Sequence, residues 1–203
     1  MAMLIIGLTG SIGMGKSTTG QMLRQAGLAV HDSDATVHEL YSSSAVPLIE
    51  AEFPGTAFEG RIDRNRLAEH VLGNPAALCR LESMIHPLVA ESRNRFLRQH
   101  AARGDRIAVL DIPLLFETGC AAEVDLILVV TAASGAQEQR VLSRPGMTPA
   151  RFQQILQKQM PDAQKRLQAH AIVWTDQGLS AARQQIDGLL RACAGMWGRR
   201  VDA

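Results

Sequence analysis

Apolar positions in this chain come in two patterns, short unbroken runs and longer stretches of helical period, and the two alternate. Met3-Leu4-Ile5-Ile6 is a continuous run of the kind a strand shows when both its faces are covered. Thr18 to Leu23 then reads as a helix, and Leu28-Ala29-Val30-His31 as a second strand ending at Asp32-Ser33-Asp34. Arg106 to Asp111 reads as a third strand, Val124 to Val130 as a fourth and Ala171-Ile172-Val173-Trp174 as a short fifth. Strands separated by helical segments predict an α/β fold, about five mainly parallel strands flanked by helices in three layers. Ligands of such sheets bind at the carboxyl ends of the strands, where Asp32, Asp34 and Asp111 fall.

Two stretches exceed a simple crossover. Residues 42–103 carry helix-like segments at Asn65 to Leu72, at Ala76 to Met84 and from Pro87 to about Ala102. Proline suits the first turn of the last of these, and it biases His86 before it toward an extended backbone. An excursion of this length predicts an inserted helical domain over 42–103, with 1–41 and 104–203 forming the core. The second stretch, about 136–169, is helical and basic, with Arg140, Arg144, Arg151, Lys158, Lys165 and Arg166. Arg144-Pro145-Gly146-Met147-Thr148-Pro149 divides it into two arms, and Thr148 is placed to cap the second. Charge alone would make this a solvated hairpin.

The chain has 203 residues, 46% of them hydrophobic, enough for one good core. Lys and Arg total 21 against 20 Asp and Glu, a net charge of +1, and aromatic residues make up 4%. Neither the field nor the stacking surface of a nucleic-acid protein is present, so the expected partners are small molecules. Cys79, Cys120 and Cys193 have no metal or disulfide spacing. No apolar run approaches the ~18 residues of a membrane span, and no signal peptide precedes the first strand. A cytoplasmic protein is expected, monomer or small homo-oligomer. Trp174 and Trp197 read as packing residues. His31, His38, His70, His100 and His170 show no ligand spacing.

The strongest local signal is Gly10-Ser11-Ile12-Gly13-Met14-Gly15-Lys16-Ser17, which fits G-x-x-x-x-G-K-[ST] between a predicted strand and a predicted helix. That context makes it a phosphate-binding loop rather than a glycine-rich turn. Glycines let successive N–H groups face phosphate oxygens at a helix start. Lys16 would reach the β- and γ-phosphates and the Ser17 hydroxyl would ligate Mg²⁺. The chain is therefore expected to bind a nucleoside triphosphate on a P-loop nucleoside triphosphate hydrolase-like fold, and phosphoryl transfer turns the basic 136–169 hairpin into a candidate lid. Asp111 stands where a carboxylate of the Mg²⁺ shell or an ordinary strand-end turn residue would both fit.

Taken in order, these motifs resemble the dephospho-coenzyme A kinase family. The matching pieces are Leu8-Thr9 with the glycine loop, Asp32-Ser33-Asp34, Asp63-Arg64 with Leu67, and Ile85-His86-Pro87-Leu88-Val89. Asp111-Ile112-Pro113-Leu114-Leu115-Phe116-Glu117 follows, then Arg140 and Arg144 with Gln159 beyond. The resemblance implies transfer of the ATP γ-phosphoryl group to the ribose 3′-hydroxyl of dephospho-coenzyme A, with Mg²⁺. Gly13, Met14, Gly15, Lys16, Ser17 and Thr18 would wrap the ATP phosphates, and Asp34 would act on the acceptor hydroxyl. Arg140 and Arg144, four apart and so on one helix face, would serve the lid. Thr9, Asp32, Asp34, Arg64, His86 and Pro113 would line the acceptor side, with Ser17 and Asp111 at the metal. Asp32 and Asp34, two apart in an extended segment, would point the same way.

The chain departs from the family near its end. Ala171 stands where an acidic residue is usual and Asp176 where an asparagine is usual, which leaves the adenine contacts open. Two other readings fit the glycine loop: a P-loop kinase for a nucleoside or sugar acid, or a non-enzymatic nucleotide switch. The absence of a guanine-reading N-K-x-D motif weighs against the switch.

Overall fold

The computed structural model describes residues 2–196 and 198–201, so Trp197 lies outside the described residues. Strand β1 (Ala2–Thr9) leads through the glycine loop into α1 (Lys16–Gln25), and β2 (Ala29–Asp32) into α2 (Ser33–Leu40). There follow α3 (Val46–Glu52), the two-residue strands β3 (Ala57–Phe58) and β4 (Arg61–Ile62), α4 (Arg64–Val71) and the long α5 (Pro75–Arg103). Then come β5 (Ile107–Asp111), β6 (Leu126–Thr131), α6 (Ser134–Leu142), α7 (Pro149–Gln157) and α8 (Asp162–Leu167). β7 (Ala171–Trp174), α9 (Leu179–Cys193) and β8 (Arg199–Arg200) complete the order.

The expected α/β architecture is present: five strands in the order β2-β5-β1-β6-β7 form a parallel sheet flanked by helices. β1 sits at its centre, with Leu8 opposite Asp111 on β5 and Thr9 opposite Val129 on β6. β8 adds an antiparallel pairing at Ala2 and Met3. Side chains alternate across a strand, so Leu4, Ile6 and Leu8 share one face. They pack there with Leu128 and Val130 of β6, Met22 and Leu23 of α1, and Ala182 and Ile186 of α9. Burying each of these larger aliphatic side chains contributes about 1.5–3 kcal/mol.

The chain divides into two compact units, Met1–His31 with Leu97–Ala203, and Asp32–Phe96. The second has its own core of Ala45, Ile49, Phe53, Ile62, Leu67, Ala77, Leu81 and Ile85. Asp63 caps α4 by accepting from the Asn65 and Arg66 N–H groups. Glu50 accepts from the Gly55 and Ala57 N–H groups ahead of the β3–β4 turn. Those two backbone bonds hold its carboxyl below the ordinary range.

Four local expectations are corrected. The segments at 76–84 and 87–102 are one helix, with Pro87 in its interior and His86 helical and exposed. Proline there leaves the Ser83 carbonyl without its helical donor. Leu81 and Ile85, one turn apart and buried in the unit core, show that packing overrides the local preference. The 42–103 stretch also holds a short antiparallel hairpin, β3 with β4. The basic stretch has a third helix, α8, while Thr148 does cap α7 by accepting from the Arg151 N–H. Finally, the strand read over Leu28–His31 with its end at Asp32-Ser33-Asp34 closes at Asp32, and Ser33 and Asp34 are not extended but already helical. Among the described residues no helix is long and apolar enough to cross a membrane.

Candidate active site

Gly10 to Gly15 link β1 to α1, and two of the glycines are demanded by space. A Cβ on Gly10 would lie 2.6 Å from the Val130 carbonyl oxygen, part of the β6 backbone. Gly13 has φ +80°, and its Cβ would come within 2.5 Å of Val141 on α6. Left-handed backbone and lack of room both select glycine. Gly15 precedes α1 without a side-chain cap, and the first turn holds no acidic residue. The first N–H groups of α1 have no intrahelical acceptor, and no carboxylate in that turn offsets the positive end of its dipole. This is an anion site in waiting.

Lys16, the first residue of α1, reaches β5, where its Nζ lies 2.5 Å from Oδ1 of Asp111. That carboxylate is 2% exposed. Gly20, one turn along α1, makes room for it, since a Cβ there would stand 3.3 Å from Asp111 Oδ2. Ser17 and Thr18 are exposed on the first turn. Thr9, at the end of β1, donates from Oγ1 to the Pro113 carbonyl at 3.0 Å, joining two residues expected on the acceptor side.

The segments after β6 grip the loop from other directions. Gln137 donates to the Ile12 carbonyl at 2.7 Å, and the Ile12 N–H donates to Gln159 Oε1 at 3.0 Å. Arg140 donates to both Oγ1 and the carbonyl of Thr175, each at 2.8 Å, and to the Gly13 carbonyl at 3.5 Å. Thr175 Oγ1 donates in turn to the Met14 carbonyl at 2.7 Å. Gln137 and Thr175 were not anticipated. The sequence carries no signal for them beyond their place next to predicted strands and helices.

Arg144 does not share a helix face with Arg140. α6 ends at Leu142, and Arg144 lies exposed in the bend beyond it, with no side-chain hydrogen bond among the described residues. The cause is Pro145, which disfavours helical backbone at the residue before it. Asp176 accepts from the Ala133 N–H at 2.9 Å. It thus secures the start of α6, where Ala133 itself has no capping side chain.

Lys165 is not part of a solvated basic face. It is completely buried, with Nζ 2.8 Å from Glu117 Oε1, which also accepts from the Met160 N–H at 2.7 Å. Burial pushes the Glu117 carboxyl up, but Lys165 and the backbone N–H bonds outweigh it and hold it below the ordinary carboxylate range. Its stabilising contribution is complete above the unfolded-state pKa and is lost as pH falls through the lower folded-state value. Thermal melts of wild type and Glu117→Gln should therefore differ most at neutral pH and converge in acid. A gap independent of pH would contradict the ionised pairing.

In the second unit, Asp32 caps α2: Oδ1 accepts from the Ala35 N–H at 3.0 Å. Asp34 is exposed in the first helical turn, with no side-chain hydrogen bond among the described residues. The two carboxylates therefore do not alternate along one strand, and the same-direction expectation fails because α2 begins between them. Arg64 bonds to His38 Nδ1 at 2.6 Å and stacks over Tyr41. The Tyr41 hydroxyl is pushed up by burial, against a smaller downward pull from Arg64.

A family model described as dephospho-CoA kinase matches residues 4–181. A curated relative from Mesorhizobium japonicum named dephospho-CoA kinase is 54% identical over 196 residues, covering 97% of this chain and all of the relative. A solved structure from Thermus thermophilus superposes with a TM-score of 0.83 at 30% identity, covering 97% of this chain and 100% of that one. A dephospho-CoA kinase from Campylobacter jejuni gives a TM-score of 0.71 at 22% identity over 94% and 96% of the two chains, a likeness of fold.

Proposed function

The chain belongs to the dephospho-CoA kinase family, and from that premise we propose how its own residues perform the reaction. The family's enzymes use ATP as phosphoryl donor to convert dephospho-CoA to CoA, the last step of CoA biosynthesis, by phosphorylating the ribose 3′-hydroxyl. The observation that carries the residue-level reading is the uncapped start of α1 behind the glycine loop, with Lys16 held beside it by a buried carboxylate.

The triphosphate binds along Gly13 to Thr18, where the backbone N–H groups meet its oxygens. Lys16 then exchanges Asp111 for the β- and γ-phosphates. The transition state is loose, so alignment and positive charge do most of the work. Arg144, exposed and without a side-chain hydrogen bond among the described residues, brings charge to the leaving phosphates as the α6–α7 bend closes. Arg140 keeps the loop in shape through Thr175. Asp34 accepts the proton of the acceptor hydroxyl, while Asp32 fixes α2. Arg64, His86, Thr9 and Pro113 complete the proposed acceptor side.

The residues present suit Mg²⁺. Ser17 offers a hydroxyl and Asp111 a carboxylate, a hard all-oxygen set. Among the described residues no group of three His, Cys, Asp or Glu could form an all-protein cage. Mg²⁺ commonly takes one or two carboxylates and completes its shell with water and substrate phosphate. When bound, it would neutralise charge on the β- and γ-phosphate oxygens. The proposed setting is the cytoplasm, with ATP and dephospho-CoA as partners, no nucleic acid or membrane, and a monomer or small homo-oligomer.

An acceptor panel read by ADP release tests the assignment. Dephospho-CoA should be turned over well, and adenosine, uridine and a sugar acid hardly at all. Preference for one of the others would overturn it. The two arginines should also separate. Arg144→Ala should lower kcat roughly 100-fold or more without changing Tm. Arg140→Ala should also cost about 2 kcal/mol of stability through its lost hydrogen bonds. Equal effects on Tm would contradict this division of roles.

A further inference from the structure

The pairing of buried Lys165 with Glu117 lies outside the residues assigned to the reaction above, yet it connects to the phosphate loop and its approach at two places. Glu117 ends the Pro113 to Glu117 segment after β5. Its carboxylate takes both the Lys165 ammonium and the Met160 N–H. Met160 directly follows Gln159, whose side-chain oxygen accepts from the Ile12 N–H inside the loop. Lys165 also lies 3.5 Å from the Pro113 carbonyl, the acceptor of the Thr9 hydroxyl just before the loop begins. Two short paths thus run from one ion pair, to Thr9 just before the loop and to Ile12 within it.

Burying the Lys165 ammonium costs desolvation that offsets part of its attraction to the more exposed Glu117, so stability alone is a weak reason for the pair. What it does supply is direction. A fully buried ammonium with fixed acceptors admits few alternative positions for the chain that carries it. Residues 158–161 separate α7 from α8, and Gln159 stands there next to Met160, whose N–H donates to Glu117.

We propose that Lys165 and Glu117 are positioning residues for nucleotide binding, acting through Gln159 to set the Ile12 peptide and hence the shape of the phosphate loop. The inference rests on the reading of that loop as the ATP site. It assigns the path through Gln159 an effect on ATP alone, while the Lys165 contact with the Pro113 carbonyl touches the proposed acceptor side. ATP binding is followed by titration calorimetry at a temperature where every variant is folded, with dephospho-CoA binding measured beside it.

Lys165→Met and Gln159→Leu should each weaken ATP roughly 10-fold, and Gln159→Leu should leave dephospho-CoA affinity unchanged. Because one residue acts through the other, the double variant should bind ATP no worse than the weaker single variant, instead of showing the roughly 100-fold product of independent sites. Should Lys165→Met fail to fold, Glu117→Gln takes its place in the cycle, since it keeps the acceptor for Met160 and removes the charge. Wild-type ATP affinity with a lowered Tm would reduce the pair to scaffolding and overturn the proposal. So would multiplicative losses, or an equal loss of both substrates in Gln159→Leu. Failure of ATP to bind wild type at all would instead overturn the underlying site.

Discussion

Lys16→Ala is expected to reduce phosphoryl transfer by roughly 10³-fold or more. The loss follows from position: the ammonium begins α1, next to N–H groups that have no intrahelical acceptor, and no side-chain cap competes for them. Charge that builds on the β- and γ-phosphates would lose its nearest fixed cation. The same substitution should also lower stability. Lys16 pairs with Asp111, whose carboxylate is 2% exposed, so its removal strands part of a buried charge at a cost of roughly 1–3 kcal/mol. Rates taken at a temperature where both proteins stay folded separate the two effects. Wild-type turnover of Lys16→Ala under those conditions would show that the lysine serves the fold alone.

Asp34→Asn carries the second large effect, a loss of roughly 10²–10⁴ in rate with ATP binding intact. The substitution keeps shape and removes basicity. Asp34 is suited to the role because its exposed carboxylate is committed to no bond among the described residues, while Asp32 is occupied at the cap of α2. Asp32→Asn should therefore change little, since asparagine caps helices as well as aspartate does. Rates for the two variants at saturating ATP distinguish them. An Asp34→Asn enzyme within a few-fold of wild type would remove the proposed proton acceptor. A large loss confined to Asp32→Asn would move that role to the cap residue.

The difference between those two aspartates shows where sequence reading reaches its limit. Leu28 to His31 announce a strand that ends within Asp32-Ser33-Asp34, where either aspartate could cap the next helix, and no glycine or proline fixes which residue is the last extended one. The stop is a hydrogen bond, Asp32 to the Ala35 N–H, that competes with strand geometry only once α2 has formed. Pro87 misleads in the opposite sense. Local sterics argue for a helix start, while Leu81 and Ile85 bind the preceding turn into a core and carry the helix through it.

The glycine loop was legible because each constraint on it is local: a strand before it, a helix after it, and glycines where side chains have no room. The network around it was not. Gln137 and Thr175 come from segments more than a hundred residues from Ile12 and Met14, Lys165 is also remote from Glu117, and nothing near any of them in sequence marks the partner. Lys165 looked like one more basic residue on a charged helix until its burial placed it against Glu117. Thr148, by contrast, was readable as a cap, since its partner lies three residues on.

Transfer to the ribose 3′-hydroxyl is the central claim, and single-turnover mixing tests it most directly. Enzyme in excess is mixed with γ-labelled ATP, Mg²⁺ and dephospho-CoA, quenched over time, and the product's phosphate position is assigned by nuclear magnetic resonance. The label should pass to dephospho-CoA in one phase, appear only on the 3′-oxygen, and vanish with Lys16→Ala. Label released as inorganic phosphate, with dephospho-CoA unmodified, would contradict the account.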